Sequence, residues 1–336
     1  MLLPKGVVAL LRPWFFDALA RRNGSWLFFV SGIDMQIFNA LMARAIPFIP
    51  RAIIQKISRR YIAGATLGEA LARVQQLNEQ GFCVTLDVLG ETVSTPQQAE
   101  NTAIDYIDLL EAIQANGLKA NISIKPSSLG LLLDMQQCAR LAERILEAAE
   151  GHQNSVCIDM EDVNCTQKEI DLFRQLRIGH DNVGLALQAY LKRTYQDIEA
   201  LTRETNTFRI CKGIYVEERS HLVNGSWSDR TAINTHFLNH VMRCFNTGSF
   251  VGVATHDAAL IEQVIALARD NGIDSTQFEF QMLLGVCEPL RDKVLKMGFS
   301  VRIYVPFGMD WYGYSTRRLN ENPSIAGHVA KALIGL

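Results

Sequence analysis

Eight short apolar runs, each followed by a polar turn and a helical pattern, constrain this chain more than any other feature. They are CVTLDVL (83–89), NISIKP (121–126), SVCIDME (155–161), VGLALQA (183–189), FRICKGI (208–214), FVGVATHD (250–257), FEFQML (278–283) and VRIYVP (301–306). Their starts lie 38, 34, 28, 25, 42, 28 and 23 residues apart. Each gap holds one helix and two loops, as a unit of two parallel strands joined by a helix requires. The helices are legible too. In TPQQAENTAIDYIDLLEAIQANG, Thr95 caps, Pro96 takes the first helical position, Gln98 completes a capping box and Gly117 stops the helix. Eight such units in succession predict an α/β chain closed into a (βα)8 TIM barrel. An open doubly wound sheet is the alternative, but no GxGxxG follows any run, and GxxxxGK[ST] is absent.

The length of 336 residues accommodates a barrel of ~250 residues and an extension. The first 80 residues contain no convincing strand. They divide the chain into an N-terminal helical extension packing on the barrel (1–80) and a catalytic barrel domain (81–336). Hydrophobic residues make up 48 % and charged residues 20 %, enough for a large core. The formal charge of −2 excludes a chain built mainly to neutralise nucleic-acid phosphates. Seven cysteines, an odd number with no CxxC among them, predict a reducing cytoplasm rather than a disulfide framework.

Residues 24–43, GSWLFFVSGIDMQIFNALMA, are the only candidate membrane span. Asp34 in its middle costs ~2.5–3.5 kcal/mol on insertion scales, so the segment reads as two core or interfacial helices. Lys5, Arg12 and Asp17 break the apolar start in a way unsuited to a signal peptide. Leu11, Phe15, Ala18 and Leu19 share one helical face, with Trp14, Arg12, Arg21 and Arg22 nearby. Such a face packs on the barrel or lies on anionic lipid.

In a barrel of this kind chemistry gathers at the C-terminal strand ends. These positions hold Asp87 and Glu91, Lys125, Asp159-Met160-Glu161, Gln188, Arg209 with Lys212-Gly213 and Tyr215, Thr255-His256-Asp257, Gln281 and Leu283, and Arg302 with Tyr304. Asp87 or Gln281 alone reads as a satisfied core group. Polar groups at nearly every strand end imply a ligand, because each buried group left unpaired costs ~1–3 kcal/mol. Asp159 and Glu161 alternate, so both are expected to face the barrel interior, with Lys125 pairing to Asp159 from the neighbouring strand. That lysine argues against a metal ion. His236 and His240 have i, i+4 spacing but no HExxH around them, and read as a surface or packed pair.

The last motif is VRIYVPFGMDWYGYSTRRLNEN (301–322). If 312–321 is helical, Tyr314, Arg317 and Arg318 lie on one face. Two guanidiniums beside a phenol suit a small carboxylate.

The motifs DVLGE, SIKPS, DMED, LQAYLKRT, FRICKGIY, ATHD, FEFQMLLG, RIYVPFG and YSTRRLNEN occur in this order between residues 87 and 322. Together they resemble the flavin-dependent proline dehydrogenases, in their monofunctional bacterial form, over roughly residues 60–325. The resemblance implies a distorted barrel holding FAD non-covalently. It implies oxidation of L-proline to Δ1-pyrroline-5-carboxylate, with electrons passing to a membrane quinone, in the cytoplasm or at the inner face of the membrane.

Transferred position by position, Lys125, Arg317 and Arg318 would hold the substrate carboxylate. Asp159 and Tyr304 would line the catalytic pocket, and Arg209 would lie against the reactive flavin nitrogen. Further flavin contacts would come from Met160, Gln188, Lys212, Gly213, Ile214, Thr255 and His256. Tyr215, Leu283 and Tyr314 would shape the pocket, and Glu91 would hold one of the arginines. The chain departs from its relatives at Ile214, often Ala, at Phe307, often Tyr, and at Asn234, commonly Asp. If the helix bearing Arg317 and Arg318 covers the barrel mouth, another helix must cover the surface beside strand 8, and segment 45–80 is available. Two other readings stand beside this one: a Schiff-base aldolase using Lys125 or Lys212, and a non-catalytic flavin- or proline-binding barrel.

Overall fold

The computed structural model describes residues 51–90, 93–203 and 206–321. Residues Pro50–Arg317 form one compact unit. It contains eight strands: β1 (Cys83–Val88), β2 (Ala120–Ile124), β3 (Val156–Ile158), β4 (Val183–Gln188), β5 (Thr207–Cys211), β6 (Phe250–Ala254), β7 (Phe278–Leu283) and β8 (Val301–Phe307). Each pairs in parallel with the next, and β8 closes on β1. The chain is therefore the (βα)8 barrel expected from its apolar runs. The runs overshoot the strands at their C-terminal ends. Lys125, Asp159 to Glu161, Lys212 to Ile214 and Thr255 to Asp257 all lie just beyond the ladder.

Caps fix where the helices begin. Thr95 accepts from the Gln98 amide, Gln98 reaches back, and Pro96 opens the helix Pro96–Ala115, with Gly117 (φ 59) past its end. Thr66 and Glu69 form the same reciprocal cap on Leu67–Glu79. Asp134, Asp162 and Asp257 cap the helices after β2, β3 and β6. The helix Leu67–Glu79 packs on β8 and β1, burying Ala70, Val74 and Leu77. The helix after β8, Trp311–Glu321, contains Tyr314, Arg317 and Arg318.

The two strand faces differ in chemistry. Leu86, Ile122, Ile124, Leu185, Phe208, Ile210, Val253, Phe280 and Ile303 are fully buried in one apolar layer with the helices. Each large side chain there contributes about 1.5–3 kcal/mol. The residues between them fill the barrel with polar groups, bonded across non-adjacent strands. Arg209 of β5 reaches Ser123 of β2, and Arg302 of β8 reaches Asn121 of β2. On β4 and β6, Gly184 and Gly252 leave space, and a cavity of about 260 Å³ at the N-terminal end is lined by both.

All seven cysteines are free. His236 accepts or donates to the Tyr195 hydroxyl at 2.8 Å, and His240 packs edge-on against the same ring. Among the described residues no helix is long and apolar enough to cross a membrane. The segments 1–25 and 24–43, with the helical face at Leu11 to Leu19, lie outside the described residues.

Candidate active site

Asp159 follows β3 immediately, where its amide still bonds the Ile124 carbonyl. Its side chain therefore stays inside the barrel mouth. One oxygen accepts from Ser123 Oγ at 3.0 Å and from the Arg209 guanidinium. The other accepts from the Tyr304 hydroxyl at 2.6 Å and faces Lys125 Nζ at 3.5 Å. Burial pushes the carboxyl upward, but Arg209 and Lys125 outweigh it and hold Asp159 below its usual range. Burial, then Asp159, keeps the Tyr304 phenol protonated far above its usual range.

Lys125 belongs first to Asp87, at 2.6 Å, and only second to Asp159. Asp87 is wholly buried, and burial raises its carboxyl against the pull of Lys125. Burial opposes the charge on Lys125, yet Asp87 and Asp159 more than restore it, so it stays an ammonium. The expected pairing of Lys125 with Asp159 exists, but the closer partner is the residue that read as a core group.

Glu161 corrects the sequence expectation. β3 ends at Ile158, so alternation does not carry Glu161 into the interior. Its carboxylate instead accepts the Ser127 amide at 2.8 Å and the Ser127 hydroxyl, holding the turn Pro126–Leu129 that follows Lys125. Gln188, at the end of β4, donates to the Glu161 carbonyl at 2.8 Å, and Met160 beside it is buried.

A second charged cluster stands beyond β5 and β6. Lys212 Nζ lies 2.8 Å from Asp257 and 3.5 Å from the Arg230 carbonyl. Asn234 also donates to Asp257, at 3.1 Å. Asn234 thus gives Asp257 a neutral donor, where an aspartate would set a second carboxylate beside it. Burial raises Asp257, but Lys212 and Asn234 bring it down to about 2. Gly213 adopts φ +99, and a Cβ on it would stand 2.2 Å from the Tyr190 ring. Its carbonyl accepts from the Arg230 guanidinium. Arg230, which opens the short 3-10 helix Arg230–Ile233, was not legible as a site residue in the sequence, since no motif surrounds it.

Thr255 Oγ1 accepts the Asp257 amide at 3.2 Å. His256 Nε2 accepts the Leu283 amide at 2.9 Å, which places the ring proton of the neutral imidazole on Nδ1. Ile214 and Tyr215 are partly exposed, and Val216 beside them is fully so. Tyr314 is half-buried on Trp311–Glu321. The side chains of Arg317 and Arg318, and Glu91 as a whole, lie outside the described residues. Asp159, Tyr304, Lys125 and Arg209 therefore meet in one cluster, while Lys212, Gly213 and Arg230 form a neighbouring one.

The proline dehydrogenase family model matches residues 70–331. "Proline dehydrogenase 2" of Bacillus subtilis is 35% identical over 265 residues, covering 79% of this chain and 86% of that protein. "Proline dehydrogenase" of Deinococcus radiodurans is 32% identical over 291 residues, covering 85% and 93%. Among solved structures, proline utilization A (PutA) from Bdellovibrio bacteriovorus, inactivated by N-propargylglycine, shares the fold with a TM-score of 0.74 at 18% identity. That match covers 83% of this chain but only 35% of the longer protein. With a matching family model over most of its length and relatives above 30% identity along nearly all of theirs, the chain belongs to the proline dehydrogenase family.

Proposed function

We propose that this chain holds FAD non-covalently and oxidises L-proline to Δ1-pyrroline-5-carboxylate, the first step of proline degradation, with a membrane quinone as electron acceptor. The observation that carries this reading is Asp159 held between Arg209, Tyr304 and Lys125 at the barrel mouth of a chain in this family.

The residues fit a flavin nucleotide. Lys212 and Arg230 offer cations beside Gly213, as a diphosphate requires. Ile214, Tyr215 and Val216 offer exposed apolar surface next to them, as a planar ring system requires. Arg209, Met160, Gln188, Lys212, Gly213, Ile214, Thr255 and His256 would hold the group, with Arg230 joining them. When bound, the flavin supplies the acceptor for the hydride that leaves the carbon beside the proline nitrogen.

The chain's own residues do the rest. Lys125, Arg317 and Arg318 grip the substrate carboxylate, and Glu91 steadies one arginine. Tyr215, Leu283 and Tyr314 wall the pocket. Asp87 and Asp159 balance Lys125 and Arg209, so the cluster adds no net charge against the neutral amine that must react. Lys125 is held as an ammonium between Asp87 and Asp159, the charge state that grips a carboxylate.

Anaerobic addition of proline to the purified protein tests the reading. The protein is expected to be yellow and to bleach. A colourless protein, or a yellow one indifferent to proline, overturns it. Contact of the N-terminal segment with anionic lipid, at the inner face of the membrane, is part of the same proposal. Liposome co-sedimentation of the intact and 1–25-deleted proteins checks it, and equal recovery in the supernatant discards it.

A further inference from the structure

We propose that Gln281 positions Arg209 for the flavin, with its amide locked in one orientation by Glu279 and admitted by the missing side chain at Gly252. The inference rests on the flavin reading above.

Arg209 and Gln281 stand on β5 and β7, with β6 between them. A side chain on β6 would separate them. The residue of β6 in register with both Arg209 and Glu279 is Gly252. A Cβ there would stand 2.3 Å from Gln281 Nε2 and 2.7 Å from its Cδ. The gap lets Gln281 cross β6, and its Oε1 accepts from Arg209 Nε at 2.6 Å.

The amide has only one stable orientation. Its Nε2 donates to Glu279 Oε1 at 2.8 Å, and Arg302 Nε donates to the same buried carboxylate. Flipping the amide would turn its oxygen toward a carboxylate and its NH2 toward a guanidinium N–H, a repulsion at each end. Glu279 thus dictates that an acceptor faces Arg209.

The consequence falls on Arg209. Gln281 holds Nε, and Asp159 with Ser123 holds Nη1. The planar fork is pinned along two edges. Among the described residues, the hydrogen bonds of Arg209 go through Nε and Nη1 and none through Nη2. Because Gln281 is neutral, it aligns the guanidinium without adding a second anion beside Asp159, and so leaves Arg209 its electrostatic effect on a reduced flavin.

Three variants test this on the flavin-loaded enzyme: Gln281→Leu, Gln281→Glu and Gly252→Ala. The strand backbone at Gly252 suits alanine, so the added methyl acts chiefly by displacing the Gln281 amide. The flavin midpoint potential should fall in each variant by about 30 mV, a tenfold change for a two-electron couple. The rate constant for flavin reduction by proline should fall about tenfold, with KM within a factor of two. Gln281→Leu and Gly252→Ala together should do no more than either alone, because both remove one contact. Wild-type potentials in Gln281→Leu and Gln281→Glu overturn the inference, and so does additivity in the double variant. A wild type that holds no flavin or fails to bleach overturns the function reading instead.

Discussion

The ammonium of Lys125 lies 2.6 Å from the carboxylate of Asp87, whose side chain is 1 % exposed. The second oxygen of Asp87 has no hydrogen-bond partner among the described residues. The ion pair with Lys125 is therefore the main polar contact of Asp87. Asp87→Ala should destabilise the fold by about 3–5 kcal/mol, as removal of one partner of a buried pair does, and should raise KM for proline. Urea unfolding at neutral pH measures the first effect. Wild-type stability would mean that Asp159 alone carries Lys125.

Asp159 bonds Arg209, Ser123 and Tyr304 with its two oxygens. Asp159→Ala leaves Arg209 and Lys125 without their shared anion, in a pocket where the amine must become neutral. We expect kcat to fall at least about tenfold, the effect of about 1.4 kcal/mol, and the pH profile to change. A variant with wild-type kcat/KM across pH would show that the residue is only structural.

Glu169 is fully buried under the site and accepts the Glu161 amide at 3.0 Å. Burial, then the Glu161 carboxylate, pushes its carboxyl up to about 9. The folded state thus retains a proton that the unfolded chain releases near 4.5. Stability is lost as pH rises through that window, on the order of 3 kcal/mol by pH 7. Glu169→Gln keeps the acceptor without this penalty. It should melt on the order of 5 °C above wild type at pH 8, with the gap closing toward pH 5. A constant gap would show that the gain has another origin.

The barrel was legible because each strand is a short apolar run bounded by polar turns, and the capping box at Thr95 and Gln98 marked its helix directly. The site was legible where polar side chains interrupt the apolar strands, as at Arg209 and Tyr304, or follow their ends, as at Lys125 and Asp159. Asp87 could not be matched to Lys125 from spacing alone, because their contact spans 38 residues and depends on the register of β1 and β2. Glu161 was misplaced because alternation was carried past Ile158, where the ladder stops. Gln281 read as a satisfied core group, since its reach to Arg209 depends on an empty position on a third strand.

Arg317 and Arg318 are proposed to grip the substrate carboxylate from the helix Trp311–Glu321. Arg317→Met and Arg318→Met should each weaken proline binding by about 2–5 kcal/mol, the cost of removing one partner of a desolvated charge pair. FAD should stay bound in both. An unchanged KM in the two variants would remove them from the substrate site.

Substrate choice is expected to rest on Tyr314, which lies one turn before Arg317 on the same helix. Its ring would lean over the five-membered ring of the substrate. The physical reason is volume: a hydroxyl on the ring needs space that the phenol fills, and overpacking costs ~1–3 kcal/mol. The wild type should prefer proline to trans-4-hydroxyproline at least about tenfold in kcat/KM, the factor carried by about 1.4 kcal/mol. Tyr314→Ser should narrow that ratio, mainly by losing activity on proline as the packing is removed. Equal oxidation of both substrates by the wild type, or full preference retained in the variant, would show that Tyr314 is not the discriminator.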